Sequence, residues 1–127
     1  MDNIVKEAMD HGGIADITTV GRKTGKARRI EIYFHQFDGN YYLTGRPRDE
    51  KRDWEANIKV NPEFTLHLKR GVTADIPVVG RPEPDPDERA RILRRALIEN
   101  WNSPPAGVDR ALPKWVEKSP FIRFEPI

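Results

Sequence analysis

Alternating apolar and polar residues predict that this chain is built mainly from β-strands. Ile30, Ile32 and Phe34 share one face of a stretch whose other face carries Tyr33 and His35. A period of two is typical of a half-buried strand. Similar patterns predict further strands at residues 14–20, 41–44, 64–68, 72–79 and 121–125.

Turn residues predict how these strands are joined. Asp38-Gly39-Asn40 lies between two strand patterns and predicts a tight hairpin. Pro77 falls inside another strand pattern. Because proline cannot donate to a strand ladder, it predicts an edge position or a bulge.

Helical spacing appears in four shorter segments. Residues 2–10 predict a short amphipathic helix, and residues 51–60 predict a second one that ends at Asn61-Pro62. Asp85 and Pro86 favour the start of a third helix, whose apolar stripe is Leu93, Leu97 and Trp101. Residues 108–117 indicate a short helix interrupted by Pro113.

These elements predict a fold that is mainly β with helices, in the α+β class. About six strands joined directly by turns, with two or three helices, favour an antiparallel barrel or sheet with appended helices over a doubly wound parallel fold. The 127 residues suit one domain, with an N-terminal helix at 1–12 and a helical insertion at 85–101 before the last strand.

Composition narrows the classes of function. The chain has no cysteine, so disulfides and thiolate metal sites are excluded. Its three histidines are scattered, His67 is expected to face solvent or an interface without an acidic partner, and no metal site is predicted. Without a signal layout or a long apolar run, we expect a cytoplasmic protein with no membrane span.

One segment, residues 21–29, carries the clearest chemical preference and is named here the basic turn. It holds five cations without a carboxylate, Arg22, Lys23, Lys26, Arg28 and Arg29, in a chain whose net charge is only +2. Its glycines, Gly21 and Gly25, would let backbone N–H groups approach an anion. The spacing is one residue short of a phosphate-loop ATPase signature, Ala27 replaces the magnesium-binding hydroxyl, and a strand follows instead of a helix. The alternatives are an anion site and a solvated hairpin tip.

Several motifs together resemble the deazaflavin-dependent nitroreductase family, within the split β-barrel, FMN-binding-like group. The resemblance runs from about residue 14 to residue 68 and is carried by Thr19 to Lys26, the hairpin Asp38 to Leu43, Lys51-Arg52-Asp53-Trp54 with Asn57, and Asn61-Pro62. Residues 121–126 also suit the closing strand of that family. Where many relatives have a Lys-Gly-Gly turn after the hairpin, this chain has Gly45-Arg46-Pro47-Arg48.

The resemblance implies an oxidoreductase that uses coenzyme F-420, an 8-hydroxy-5-deazaflavin, with FMN less favoured. Hydride would pass to a small electron-poor acceptor: a quinone, an enone or a nitro compound. The implied cofactor-binding residues are Gly21, Arg22, Lys23, Thr24, Gly25, Lys26, Arg28, Arg46, Trp54 and Asn57, and Tyr33 would be the catalytic proton donor or a substrate contact.

Other readings of the same barrel remain open at the level of sequence. One is a flavin or haem carrier without turnover. Another is a small nucleic-acid-binding barrel that stacks bases on Tyr41 and Tyr42, although the near balance of 22 basic and 20 acidic residues argues against a nucleic-acid partner. A homodimer is expected because barrels of this group often pair.

Overall fold

Six antiparallel strands close into a barrel in the computed structural model, which describes all 127 residues. The strands are β1 (Gly13–Val20), β2 (Ala27–Phe37), β3 (Asn40–Thr44), β4 (Glu63–Leu68), β5 (Ala74–Pro82) and β6 (Phe121–Pro126). Their order around the barrel is β1-β2-β3-β6-β5-β4, and pairing of β4 with β1 completes the circle. The predicted antiparallel barrel of the α+β class is therefore confirmed.

Four helices are appended to the barrel. They are α1 (Asn3–His11), α2 (Asp53–Val60), α3 (Pro86–Arg95) and α4 (Pro105–Lys118). A π-helical turn, Ala96–Asn100, continues directly from α3. The predicted helical insertion at 85–101 corresponds to α3 with this turn, and the predicted short helix at 108–117 corresponds to α4. Pro113 does not interrupt α4. Proline has no N–H to donate to the carbonyl four residues earlier, but this side of the helix is exposed, so water can bond that carbonyl instead.

Local backbone geometry explains two of the strand connections. Asp38 and Gly39 have φ angles of 57° and 81°, as expected for a two-residue hairpin loop between β2 and β3. Pro77 pairs with Thr65 of β4, whereas the pairing of β5 with β6 begins only at Val78. Pro77 therefore lies where β5 has a single neighbouring strand, so its missing N–H breaks no ladder.

The apolar residues form two cores on opposite sides of the sheet. The larger fills the barrel and includes Ile17, Leu43, Leu66 and Trp54 of α2. The smaller packs α3 against the outside of β2, β3 and β6, around Tyr42. Helices α2 and α3 are thereby held against the barrel wall, and each carries residues toward a candidate site.

Candidate functional site

The basic turn is closed by its own backbone. The N–H of Gly21 donates to the carbonyl of Lys26 at 2.8 Å, and the N–H of Gly25 donates to the carbonyl of Gly21 at 2.8 Å. Gly25 has φ of +70°, a conformation that favours glycine. A Cβ at Gly21 would lie only 2.7 Å from the Thr24 hydroxyl oxygen, so this position also requires glycine.

Helix α2 fixes the basic turn through the buried side chain of Asn57. Asn57 Oδ1 accepts from the backbone N–H of Arg22 at 3.1 Å and from Arg22 Nη1 at 2.9 Å. Asn57 Nδ2 donates to the hydroxyl of Thr19 at 3.2 Å. Asp53, on the first turn of α2, lies 3.4 Å from Arg22 Nη2. The charge of Arg22 is therefore partly balanced by a carboxylate from outside the turn.

The other cations of the basic turn differ in how far they are engaged. Lys23, Lys26 and Arg28 are exposed and form no ion pair, whereas Arg29 pairs with Asp16 at 2.9 Å. A shallow cavity of about 260 Å³ is lined by Gly21, Arg22, Lys23, Thr24, Arg28, Asp53 and Asn57. Gly25 and Lys26 lie in the turn but outside this lining. The arrangement offers uncompensated charge to an anion.

A second cavity, of about 710 Å³, lies where β2, the end of β3 and the helical segment meet, and is named here the Tyr33 cavity. Its lining residues are Tyr33, Thr44, Gly45, Arg46, Leu97, Trp101, Ser103 and Trp115. The structure thus brings Tyr33 and Arg46 together with Trp101 and Trp115, which are far from them in sequence. Sequence reasoning did not assign Trp101 and Trp115 to a site, because their half-burial depends on how α3 and α4 pack.

Aromatic rings form one wall of the Tyr33 cavity. The ring of Trp101 meets that of Tyr33 edge-on at 5.5 Å and lies 6.3 Å from that of Trp115. Behind them, His35 is completely buried, and this burial lowers its pKa to about 4. His35 is therefore a neutral imidazole near neutral pH.

Arg52, the residue before α2, lies beside Gly45, which lines the Tyr33 cavity. A Cβ at Gly45 would lie 3.3 Å from Cζ and Nη2 of Arg52, so the guanidinium rests directly against the Gly45 backbone. The side chain of Arg52 forms no hydrogen bond or ion pair, and its burial, followed by repulsion from Arg48, lowers its pKa. Along a helix axis, Arg52 and Asn57 are separated by about 7.5 Å. One short helix thus contacts both the basic turn and the rim of the Tyr33 cavity.

Two residues occupy positions that differ from expectation. Trp54 is only 8% exposed and packs in the barrel core, so it lines neither cavity and instead anchors α2. His67 is also buried: its Nε2 lies 2.6 Å from the hydroxyl of Thr18, and its Nδ1 lies 2.7 Å from Asp75 Oδ1. The expectation that His67 faces solvent is wrong, and the β4–β5 register places it opposite Asp75.

Two further features bear on the class of protein. No three His, Asp or Glu side chains converge in a way that could hold a metal ion. None of the helices combines the length and the apolar composition that crossing a membrane requires.

Solved structures share the barrel at low sequence identity. A conserved hypothetical protein from Mycobacterium tuberculosis aligns with a TM-score of 0.72 at 15% identity, over 97% of this chain and 79% of that one. The haem storage protein HutZ from Vibrio cholerae aligns with a TM-score of 0.67 at 14% identity, over 99% of this chain and 89% of that one. An F420-H2 dependent reductase aligns with a TM-score of 0.59 at 18% identity, over 88% of this chain and 92% of that one. These likenesses establish the split-barrel fold.

Family membership follows from a sequence model that covers most of the chain. The model describes an F420H(2)-dependent quinone reductase and matches residues 4–119. This match confirms the predicted resemblance to a deazaflavin-dependent family, and with it coenzyme F-420 as the cofactor. The chain therefore belongs to the F420H(2)-dependent quinone reductase family.

Proposed function

We propose that this reductase holds coenzyme F-420 between the basic turn and the Tyr33 cavity and delivers its hydride to a quinone. The observation that carries the proposal is the placement of α2. Its Asn57 fixes the basic turn, and the adjoining Arg52 rests on Gly45 at the rim of the Tyr33 cavity. A cationic surface and an aromatic cavity are therefore connected by one rigid element.

The residues present fit the two chemically different ends of such a cofactor. An acidic, phosphate-bearing tail needs cations without competing carboxylates, and Lys23, Lys26 and Arg28 meet that need. Arg22 adds an arginine whose backbone position is already fixed by Asn57. A planar ring needs an apolar pocket with a few polar groups, which the Tyr33 cavity provides through Trp101, Trp115 and Leu97, with Arg46 at its edge.

The division of labour between cofactor and protein follows from these positions. When bound in its reduced form, the deazaflavin supplies a hydride, and a quinone that accepts a hydride and one proton becomes a hydroquinone. Tyr33 lines the cavity, and its hydroxyl is the group that we propose to contact the acceptor oxygen or donate the proton. The surrounding indole rings exclude water from the reacting atoms.

The aromatic wall suits an acceptor with a flat conjugated ring, such as a quinone. Trp101 and Trp115 offer edges and faces to a flat conjugated ring, and aromatic pairs of this kind add to the free energy of simple area burial. The description of the family points to the same acceptor class.

The other readings have less support from the described residues. A haem in the Tyr33 cavity would need an axial ligand there, yet His67 uses both ring nitrogens and His35 is enclosed by aromatic rings. A nucleic-acid barrel would need exposed stacking residues, but Tyr41 and Tyr42 are buried. Three arginines of α3 are ion-paired, including Arg94 with Asp109 at 2.8 Å, and the fourth, Arg89, donates to backbone carbonyls.

Two measurements test the proposal. A fluorescence titration with coenzyme F-420 beside FMN, FAD and haem tests the cofactor, and only the first should bind tightly. The acceptor is tested by an absorbance assay that records consumption of the reduced deazaflavin with menadione, cyclohexenone or a nitroaromatic compound. Faster turnover of the nitroaromatic compound than of menadione would contradict the quinone assignment. Light scattering of the purified protein would test the expected homodimer.

A further inference from the structure

The aromatic wall of the Tyr33 cavity is backed by a histidine that the proposed reaction does not use. His35 lies on β2 between Tyr33 and Phe37, and its side chain is 0% exposed. Its ring centroid is 4.8 Å from that of Tyr33 and 5.0 Å from that of Trp101. Two cavity-lining side chains therefore pack against this one imidazole.

One hydrogen bond joins His35 to the π-helical turn. Asn100 Nδ2 and His35 Nδ1 are 2.7 Å apart. Because an amide nitrogen only donates, Nδ1 is the acceptor and the single ring proton of the neutral imidazole is on Nε2. Nε2 has no hydrogen-bond partner and is enclosed by the rings around it.

Burying the unpaired Nε2–H of His35 costs free energy, and only the contact with Asn100 distinguishes this imidazole from an apolar ring. A phenylalanine would fill a similar volume without leaving a buried N–H unpaired. What the imidazole offers beyond a phenyl ring is the acceptor for Asn100. Asn100 ends the π-helical turn, and π-helical turns are frequent at functional sites.

The residue that follows Asn100 is Trp101, and the backbone around it is sharply bent. The N–H of Trp101 donates to the carbonyl of Ala96 at 3.2 Å, and Asn102 has φ of +51°. The side chain of Asn100 is therefore the tie between this bend and the barrel wall.

We propose that His35 is a positioning residue: through Asn100 it holds Trp101 as the wall of the Tyr33 cavity and so sets which quinones fit. The inference rests on the proposed function, because it requires that the acceptor enter the Tyr33 cavity beside the deazaflavin ring. His35 acts through Trp101 and does not itself touch substrate. Loss of the tie lets Trp101 move and relaxes discrimination by acceptor size.

The test compares His35→Phe and Asn100→Ala with a matched control, His11→Phe, whose imidazole lies at the end of α1. The first readout needs no cofactor. All proteins carry Trp115→Phe, so that only Trp101 and the buried Trp54 fluoresce. The acrylamide quenching constant should then be higher by about half or more in both variants. The His11→Phe control should match the parent protein. If quenching is unchanged in both variants while circular dichroism shows native folding, the tie does not hold Trp101 and the proposal is overturned.

The second readout is selectivity between a small and a large quinone. At saturating coenzyme F-420, the ratio of kcat/KM for benzoquinone to that for menadione should shift about five-fold or more in each variant, mainly through the KM for the quinone. Effects in the double variant should be no larger than in either single variant. A purely structural role would lower both rates together and leave the ratio unchanged, which would overturn the proposal. Absence of any quinone turnover would count against the proposed function, while the quenching result would still decide the role of His35.

Discussion

Asn57 accepts two hydrogen bonds from Arg22, one from its backbone N–H at 3.1 Å and one from its guanidinium at 2.9 Å. Because Asn57 is buried, replacing it with alanine leaves donors of Arg22 and the hydroxyl of Thr19 without partners. We expect Asn57→Ala to lower the free energy of unfolding by about 2–3 kcal/mol in urea denaturation. Asn61→Ala, which removes one exposed bond to the Val20 carbonyl, should cost less than about 1 kcal/mol. Equal losses in the two variants would mean that Asn57 does not fix the turn.

Lys23 and Arg22 should contribute differently to cofactor binding. Lys23→Ala removes a cation without a protein partner, so affinity for coenzyme F-420 should fall about ten-fold while the free energy of unfolding stays the same. Arg22→Ala should lower both quantities, because Asn57 and Asp53 lose their partner. Fluorescence titration at two salt concentrations measures the loss, which should shrink at high salt. The control is Lys114→Ala, which removes an exposed cation of α4. An unchanged affinity in Lys23→Ala would mean that Lys23 does not bind the cofactor.

The buried imidazole of His35 should make the stability of the protein depend on pH. Its pKa is about 4 in the folded protein against an ordinary value of 6.5, because burial disfavours the charged form. The unfolded chain therefore takes up a proton first, and stability falls as pH decreases from about 6.5 to about 4. Over that window the folded state should lose about 3 kcal/mol relative to a His35→Phe variant. Urea denaturation of both proteins at several pH values checks this, and a constant difference across the window would contradict it.

Gly80 and Gly45 offer a matched pair for testing packing. A Cβ at Gly80 would lie 2.9 Å from Ile122 Cγ2 and from Phe64 Cε1, both in the barrel core. Gly80→Ala should therefore destabilise the protein by about 1–3 kcal/mol. At Gly45 the nearest atoms are the tip of the flexible Arg52 side chain, at 3.3 Å, so Gly45→Ala should change thermal stability little. A larger loss at Gly45 than at Gly80 would reverse this assignment.

The sequence predicted the strands well because each one alternates between the barrel core and an outer face. Ile30, Ile32 and Phe34 carry that pattern in β2, and the hairpin residues Asp38 and Gly39 marked where the chain turns. The predicted strand at residues 72–79 lies a little early, since β5 is Ala74–Pro82 and its last residues pair with β6, a partner that local pattern cannot reveal.

The candidate sites were less accessible from sequence because they depend on contacts between distant residues. The basic turn was identified from charge alone, but its support by Asn57 depends on how α2 docks. The contact of His35 with Asn100 spans 65 residues, and no local signal announces it. The pairing of His67 with Asp75 was within reach, since a hairpin register between β4 and β5 would have placed them opposite each other.

The position of β6 in the barrel has a consequence for how the chain folds. β6 lies between β3 and β5, and its pairing of Phe121 with Thr44 joins segments far apart in the chain. Until β6 is in place, β3 and β5 each keep an unpaired edge, which is the feature of partly folded sheets that invites association with other chains. During synthesis, closure of the barrel therefore requires that β6 has emerged from the ribosome.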